Sequence, residues 1–316
     1  MLREIKNMKK IIIGFVILLI IGLGDFFILK KPAPPNNPQT RGLPDVFFAV
    51  HFEPRSADER GFEELKNFIQ MADDFKAKLT LQFTPSWAKM ILSDENKLGL
   101  LRQWQANGHE IAAHHHGATH GWEWDGYTNL SASEWQKTRQ EVYSRSGQDK
   151  KAVQSLAKQN NLGEKYFGNM DDYMILLRKL AGSEKIFTMT MGPDSKTDWP
   201  EEIPYSLDNI VMLPNGDYNI GGTAIVKLKK EIYSGHNVSE IDMRFIENLN
   251  EVEKAKEEYL RAKPSDVVGV VTHIEDFARD HNTPRAWMEF INKKDPSGER
   301  NKTIAEVMEK LTGQKF

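Results

Sequence analysis

The chain has 316 residues, 40% hydrophobic and 28% charged, with 42 basic residues against 45 acidic ones and a formal net charge of -3. That balance offers no electrostatic footprint for nucleic acid, which is excluded as a partner. The absence of cysteine excludes disulfides, zinc ribbons and a thiol nucleophile, so any metal must be held by His, Asp or Glu.

The chain begins with an apolar run. Ile11 to Gly24 is unbroken, Asp25 interrupts, and Phe26 to Leu29 continue, 19 residues in all, about the length of a membrane-spanning helix. Arg3, Lys6, Lys9 and Lys10 precede it, and Lys30 and Lys31 follow. The positive-inside rule then favours an inside N-terminus with the remainder exported. No clear small-x-small cleavage site precedes the linker, so residues 1–31 are expected to be a retained single-pass anchor. A cleaved signal peptide, and with it a secreted protein, is the alternative. Residues 32–44 contain Pro32, Pro34, Pro35 and Pro38 and read as an extended linker. The remaining residues, 45–316, suit one large α/β domain.

Within that domain, Asp45 to Phe52 is a β-rich run between prolines, and Lys78 to Phe83 is a second. Between them Phe62, Leu65, Phe68, Ile69, Ala72 and Phe75 fall at helical spacing, predicting a helix over Arg60 to Lys76. Trp87 to Ala106 reads as one helix, ended by Asn107-Gly108. A short strand follows at Glu110 to Ala113. Ser131-x-x-Glu134 is a capping box that opens a helix running to about Gln148. Met170 to Ala181 is helical, with Gly182 as its stop. Lys185 to Met191 is a strand, and Ile210 to Leu213 and Ala224 to Leu228 are weaker ones. Ser239 to Lys263 reads as a charged helix, Val267 to Thr272 as a very apolar strand, and Thr303 to Leu311 as the last helix. Strands alternating with helices predict a parallel sheet or a (β/α) barrel. No internal repeat is visible.

Three polar clusters fall at strand C-termini: His51-Phe52-Glu53, the run from His114 to His120, and Thr272-His273-Ile274-Glu275-Asp276. His51 and Glu53 are two apart and share a side. In a parallel barrel such strand ends meet at one mouth, where chemistry sits. Six of the nine histidines lie in these clusters, and imidazole with carboxylate suits zinc and other first-row divalent ions. His115 lies between two neighbours and is expected to face away from them. His109, ahead of its strand, reads as structural, and His236 and His281 carry no spacing signal. Trp122, Trp124 and Trp199 could stack on a sugar ring or pack in the core.

These residues resemble the polysaccharide deacetylase (NodB-homology) family. Gly108-His109-Glu110-Ile111-Ala112-Ala113-His114 closely resembles its "GHEIGNH" run, whose last His is a metal ligand. Leu130 to Glu134 resembles the "LS-x-x-E" helix start, Val270 to His273 the late "LLH" motif, and Asp194 to Trp199 a groove motif ending in Asp-Trp. The resemblance covers about residues 45 to 312 and implies a distorted seven-stranded (β/α) barrel. It departs from the pattern in three places. Val50-His51-Phe52-Glu53-Pro54 stands where the family has "TFDDG". The position four after His114 is Ala118, leaving His116 and His120 as candidates for the second metal histidine, His120 through a two-residue insertion. The Arg-Pro-Pro-Tyr motif has no match, with Tyr166 to Asn169 in about its place.

The resemblance implies a divalent ion, zinc first with nickel, cobalt or iron as alternatives, held by Glu53, His114 and His120, with His51 or His116 as extra ligands. His51, or a carboxylate such as Asp198 or Asp276, is the implied base, and His273 the acid toward the leaving group. The implied substrate is an N- or O-acetylated cell-surface sugar. Two other readings compete: a non-catalytic carbohydrate- or metal-binding surface protein of deacetylase ancestry, and another barrel metallohydrolase acting on C–N bonds.

Overall fold

The computed structural model describes residues 42–120, 123–145, 165–191, 195–208, 210–212, 218–220 and 222–315. The apolar N-terminal run and the linker expected after it precede these residues, apart from the linker's last three. Among the described residues, no helix is long and apolar enough to cross a membrane.

Strand β1 (Asp45–Phe52) is buried along its whole length. Two parallel neighbours cover its edges, β2 (Leu79–Phe83) on one side and β11 (Val267–His273) on the other. Buried on both faces, such strands read as continuous apolar runs, which is why all three were visible in the sequence. Beyond β2 come β3 (Glu110–His114), β4 (Thr188–Thr190), β5 (Tyr205–Leu207) and β9 (His236–Ile241), all parallel, and then β8 (Leu228–Tyr233), antiparallel to β9. β10 (Arg244–Phe245) borders β11, and β12 (Asn301–Lys302) pairs with the start of β1. A separate two-stranded ribbon joins β6 (Ile210–Met212) to β7 (Tyr218–Ile220).

The expected distorted seven-stranded (β/α) barrel is therefore corrected to an α/β half-barrel of mixed strands. Its described ladder has nine strands in line, β10-β11-β1-β2-β3-β4-β5-β9-β8, with β12 beside β1. The segment leading into β8 reaches back to β11 through one antiparallel bridge, Ile225 to Val268. The cause of the mixed edge is local. Ser234 and Gly235 both take positive φ, 50° and 83°, the two-residue turn that folds neighbouring strands into a hairpin. Three other expectations shift. The single helix over Trp87 to Ala106 is two, α2 (Pro85–Leu92) and α3 (Glu95–Ala106), because the Asp94 carboxylate accepts from the amides of Asn96 and Lys97 and starts a new helix. The strand over Lys185 to Met191 shortens to β4. The charged helix from Ser239 starts only at Leu249, as α7 (Leu249–Arg261), the residues before it forming the end of β9 and β10.

Alternation along β1 divides two cores. Val46, Phe48, Val50 and Phe52 face the outer helices, including α1 (Glu59–Asp74) and α9 (Asn282–Lys294), while Phe47 and Ala49 face inward beside Val267, Val271, Tyr205 and Leu207. The inner core is sealed at the N-terminal strand ends by α10 (Ile304–Thr312), whose Ile304, Val307 and Met308 join it. Glu110 anchors that seal: its carboxylate accepts from Thr80 Oγ1 and Thr188 Oγ1 at 2.8 Å each and from the Ala305 amide at 3.1 Å. The inward face of β11 opposite Phe47 is Gly269, and a Cβ there would lie 2.1 Å from Phe47 Cζ. Gly269→Ala is accordingly expected to cost about 1–3 kcal/mol through overpacking. Denaturant unfolding measures this, and an unchanged midpoint would show that the Phe47 ring can move aside.

Candidate metal centre

The inward positions of β1 continue the apolar pair Phe47 and Ala49 into His51 and Glu53, where the strand reaches its C-terminal end. Register then assembles the site. His51 lies opposite His273 on one side and Gln82 on the other, and His114 lies opposite Thr190. The chain past β3 stays extended for two more residues, with the His115 amide donating to Thr190 O at 3.0 Å. His114 and His116 therefore point the same way, and His115 points the other.

The Glu53 carboxylate is the hub. His114 Nε2 lies 3.3 Å from Oε1, His116 Nε2 lies 2.9 Å from Oε2, and His273 Nε2 lies 3.5 Å from Oε1. The His114 and His116 Nε2 atoms are 3.0 Å apart. The His51 ring stacks on His114 at 4.5 Å, and its buried Nε2 has no hydrogen-bond partner. Burial pushes the Glu53 carboxyl up, but the His116 charge and hydrogen bonds from His114 and His116 outweigh it and hold the group well below the usual carboxylate range. Burial also opposes a charge on His116, yet Glu53 wins there and raises it to about 9. Burial, reinforced by His114 and His273, drives His51 far down, so it is neutral.

His273 is tethered. Its Nδ1 lies 3.0 Å from Asp276 Oδ2, the first turn of α8 (Ile274–Arg279) bringing that carboxylate back under the ring. Burial works against its charge, but Asp276 and Glu53 raise it overall. The ring also stacks on Phe245 at 5.2 Å.

Several expected roles fall elsewhere. His120 is in none of the groups of potential ligands, though it lies against them. The chain turns back at Gly117, to whose carbonyl the His120 amide donates, and its ring stacks on His116 at 3.9 Å. His116 points at Glu53. Asp198 is not poised as a base at the mouth: it is fully buried, its Oδ1 accepts from Thr128 Oγ1 and the Asn129 amide, and its Oδ2 lies 3.4 Å from His115 Nε2. Trp124 and Trp199 are 1% and 2% exposed and hydrogen-bond through their indole nitrogens to the carbonyls of Tyr127 and Ile203. They pack inside and present no face to a sugar. Trp122 lies outside the described residues. His109 is a structural pin, accepting from the Leu79 amide at 3.0 Å.

Sequence reasoning overlooked Glu123, Asp125 and Arg55. Arg55 sits on the turn Pro54–Ser56 after β1 and bridges Glu123 at 3.2 Å and Glu275 at 3.4 Å. Burial raises Glu123 to about 7, against the pull of His116. Asp125 ties the histidine run in place, accepting from His115 Nδ1 at 2.8 Å, from the His116 amide at 3.0 Å and from the Tyr127 amide at 3.1 Å. The available signal was the acidic-apolar-acidic order Glu123-Trp124-Asp125 just past the histidines.

The donor set fits a divalent ion. It is nitrogen and carboxylate oxygen, buried, with neighbouring donors 2.9–3.3 Å apart. Ligand atoms around a zinc at ordinary bond lengths sit roughly 3.0–3.4 Å from one another. Three groups of potential ligands occur among the described residues, His51 with Glu53 and His114, Glu53 with His116 and Glu123, and Glu247 with His273 and Asp276, each with its donor atoms within 4.8 Å of one another.

No family model and no curated protein matches this sequence. Among solved structures, the chain is similar to one described as a polysaccharide deacetylase from Mycobacterium smegmatis, with a TM-score of 0.46, 11% identity, and 86% of this chain and 91% of that one covered. It is similar to Puue allantoinase, with a TM-score of 0.47, 12% identity, and coverage of 86% and 90%. A third is described as a polysaccharide deacetylase from Pseudomonas aeruginosa PAO1, with a TM-score of 0.42, 11% identity, and coverage of 80% and 85%.

Proposed function

We propose that the chain is a metal-dependent hydrolase that removes acetyl groups from N- or O-acetylated sugars at the cell surface, where the apolar run of residues 11–29 would tether it. The observation that supports this most is the buried Glu53 carboxylate with three imidazoles, His114, His116 and His273, within 3.5 Å of it. The sequence run from Gly108 to His114 and its likeness to the deacetylase "GHEIGNH" motif support the substrate class.

Glu53, His114 and His116 would hold the ion, zinc first by the chemistry of the donor set. When bound, such an ion polarises a substrate carbonyl and brings the pKa of a water molecule toward neutrality. The protein supplies the proton traffic. His51 is neutral with a free, buried Nε2, so it can accept a proton from attacking water. His273, whose pKa is raised by Asp276 and Glu53 against the opposing effect of burial, can deliver one from Nε2 to the departing amine or alkoxide. Asp276 holds the opposite ring nitrogen and so keeps Nε2 directed at the mouth.

The test is a screen of acetylated sugars with the metal-loaded full chain, followed by His273→Asn. Wild type should release acetate. The variant should keep its metal but lose about 10²–10⁴-fold in kcat. Turnover unchanged in the variant would remove His273 from the mechanism. A metal-loaded wild type that binds sugars without releasing acetate would make it a binding protein.

A further inference from the structure

Two of the three groups of potential ligands share Glu53, one joining it to His51 and His114 and the other joining it to His116 and Glu123. The carboxylate is divided between them: Oε1 faces His114 Nε2 at 3.3 Å, and Oε2 faces His116 Nε2 at 2.9 Å. A single ion on Glu53, His114 and His116 leaves two further buried donors off the metal. One is the His51 Nε2, buried and without a hydrogen-bond partner. The other is Glu123, whose side chain is only 13% exposed and lies beside the Arg55 guanidinium. Five donors converging in one buried space exceed what one four-coordinate ion with an open position takes.

We infer that the site is built for two divalent ions sharing Glu53, one held by His51 and His114, the other by His116 and Glu123, so that His51 serves as a ligand and not as the base of the one-ion reading. The inference rests on the reading above that this cluster binds metal. A carboxylate that turns one oxygen toward each ion suits a pair about 3.5–4 Å apart. Charge balance agrees. The carboxylates of Glu53 and Glu123 would offset part of the charge of two ions, and Glu275, 3.4 Å from Arg55 Nε, adds a further acid nearby. Glu123 is then the residue that separates a two-ion site from a one-ion site, which explains a buried acid beside the histidines that the proton traffic does not use.

The experiment is metal stoichiometry of the full chain, loaded with zinc and freed of excess, in wild type and Glu123→Gln. Manganese loading adds a spectroscopic readout, because two manganese ions sharing a carboxylate show spin coupling and isolated ones do not. Wild type is expected to hold about two ions per chain and to show coupling. Glu123→Gln is expected to hold about half as many and to lose the coupling, with its circular dichroism unchanged. One ion per chain in wild type, without coupling, overturns the two-ion proposal and leaves the one-ion hydrolase standing. A Glu123→Gln variant that retains both ions also overturns it. No metal in wild type removes both readings together.

Discussion

Glu53→Gln is expected to empty the site of metal and lower kcat/KM for acetate release by on the order of 10³-fold or more, about 4 kcal/mol of transition-state stabilisation. The substitution keeps the shape and removes the charge. In the folded protein that charge lies within 3.5 Å of imidazole nitrogens on His114, His116 and His273. An amide can turn only one oxygen toward them and adds two hydrogens where donors already crowd. His116, raised to about 9 by its contact with Glu53 despite burial, loses the main reason to remain charged. Elemental analysis and steady-state kinetics on the same preparation decide the matter. A variant with a full metal complement and wild-type turnover would show that the histidines alone hold the ion.

Asp125→Ala is expected to cost about 3–5 kcal/mol of stability, the penalty for stripping one partner from a buried ion pair. For a domain of this size, that lowers Tm by on the order of 10 °C. His115 is fully buried between Asp125 at 2.8 Å and Asp198 at 3.4 Å. Burial opposes its charge, but the two carboxylates, Asp125 first, raise it to about 10. The folded value thus exceeds the unfolded one of about 6.5. The stabilisation is complete below pH 6.5 and is lost as pH rises through about 10. The gap between variant and wild type should be widest near pH 6 and narrow toward pH 10. A gap independent of pH would mean that the loss comes from the backbone bonds of Asp125 to His116 and Tyr127, not from the charged ring.

What could be read from the chain alone followed burial. β1, β2 and β11 are apolar because both faces are covered, and the ends of β1, β3 and β11 carried His51, Glu53, His114 and His273 to the mouth in the positions that strand alternation implied. The edge of the sheet was hidden. β9 buries Ser239 and Glu240 between Val238 and Ile241, and Glu240 is satisfied by Tyr233 and Lys229 across the hairpin. No hydropathy pattern marks such a strand, and the acidic residues after it suggested one long helix. The choice between His116 and His120 was beyond spacing, because a turn at Gly117 decides which ring meets Glu53. Glu123 and Asp125 were overlooked for a related reason. Their partners lie on other strand ends and on the histidine run itself, so only the folded chain shows them as one constellation.

The central position of β1 has a consequence for synthesis. Its second edge is covered by β11, and His51 meets His273 only when residue 273 has been made, 221 residues after Phe52. At ribosomal rates of about 5–20 residues per second, the first strand waits roughly 10–45 seconds for its second partner. Throughout that interval the most apolar strand of the first half has an unpaired edge, and the mouth lacks His273. The last fifty residues are therefore no appendage. They finish the sheet, seal its lower end through α10, and complete the chemistry in the same event.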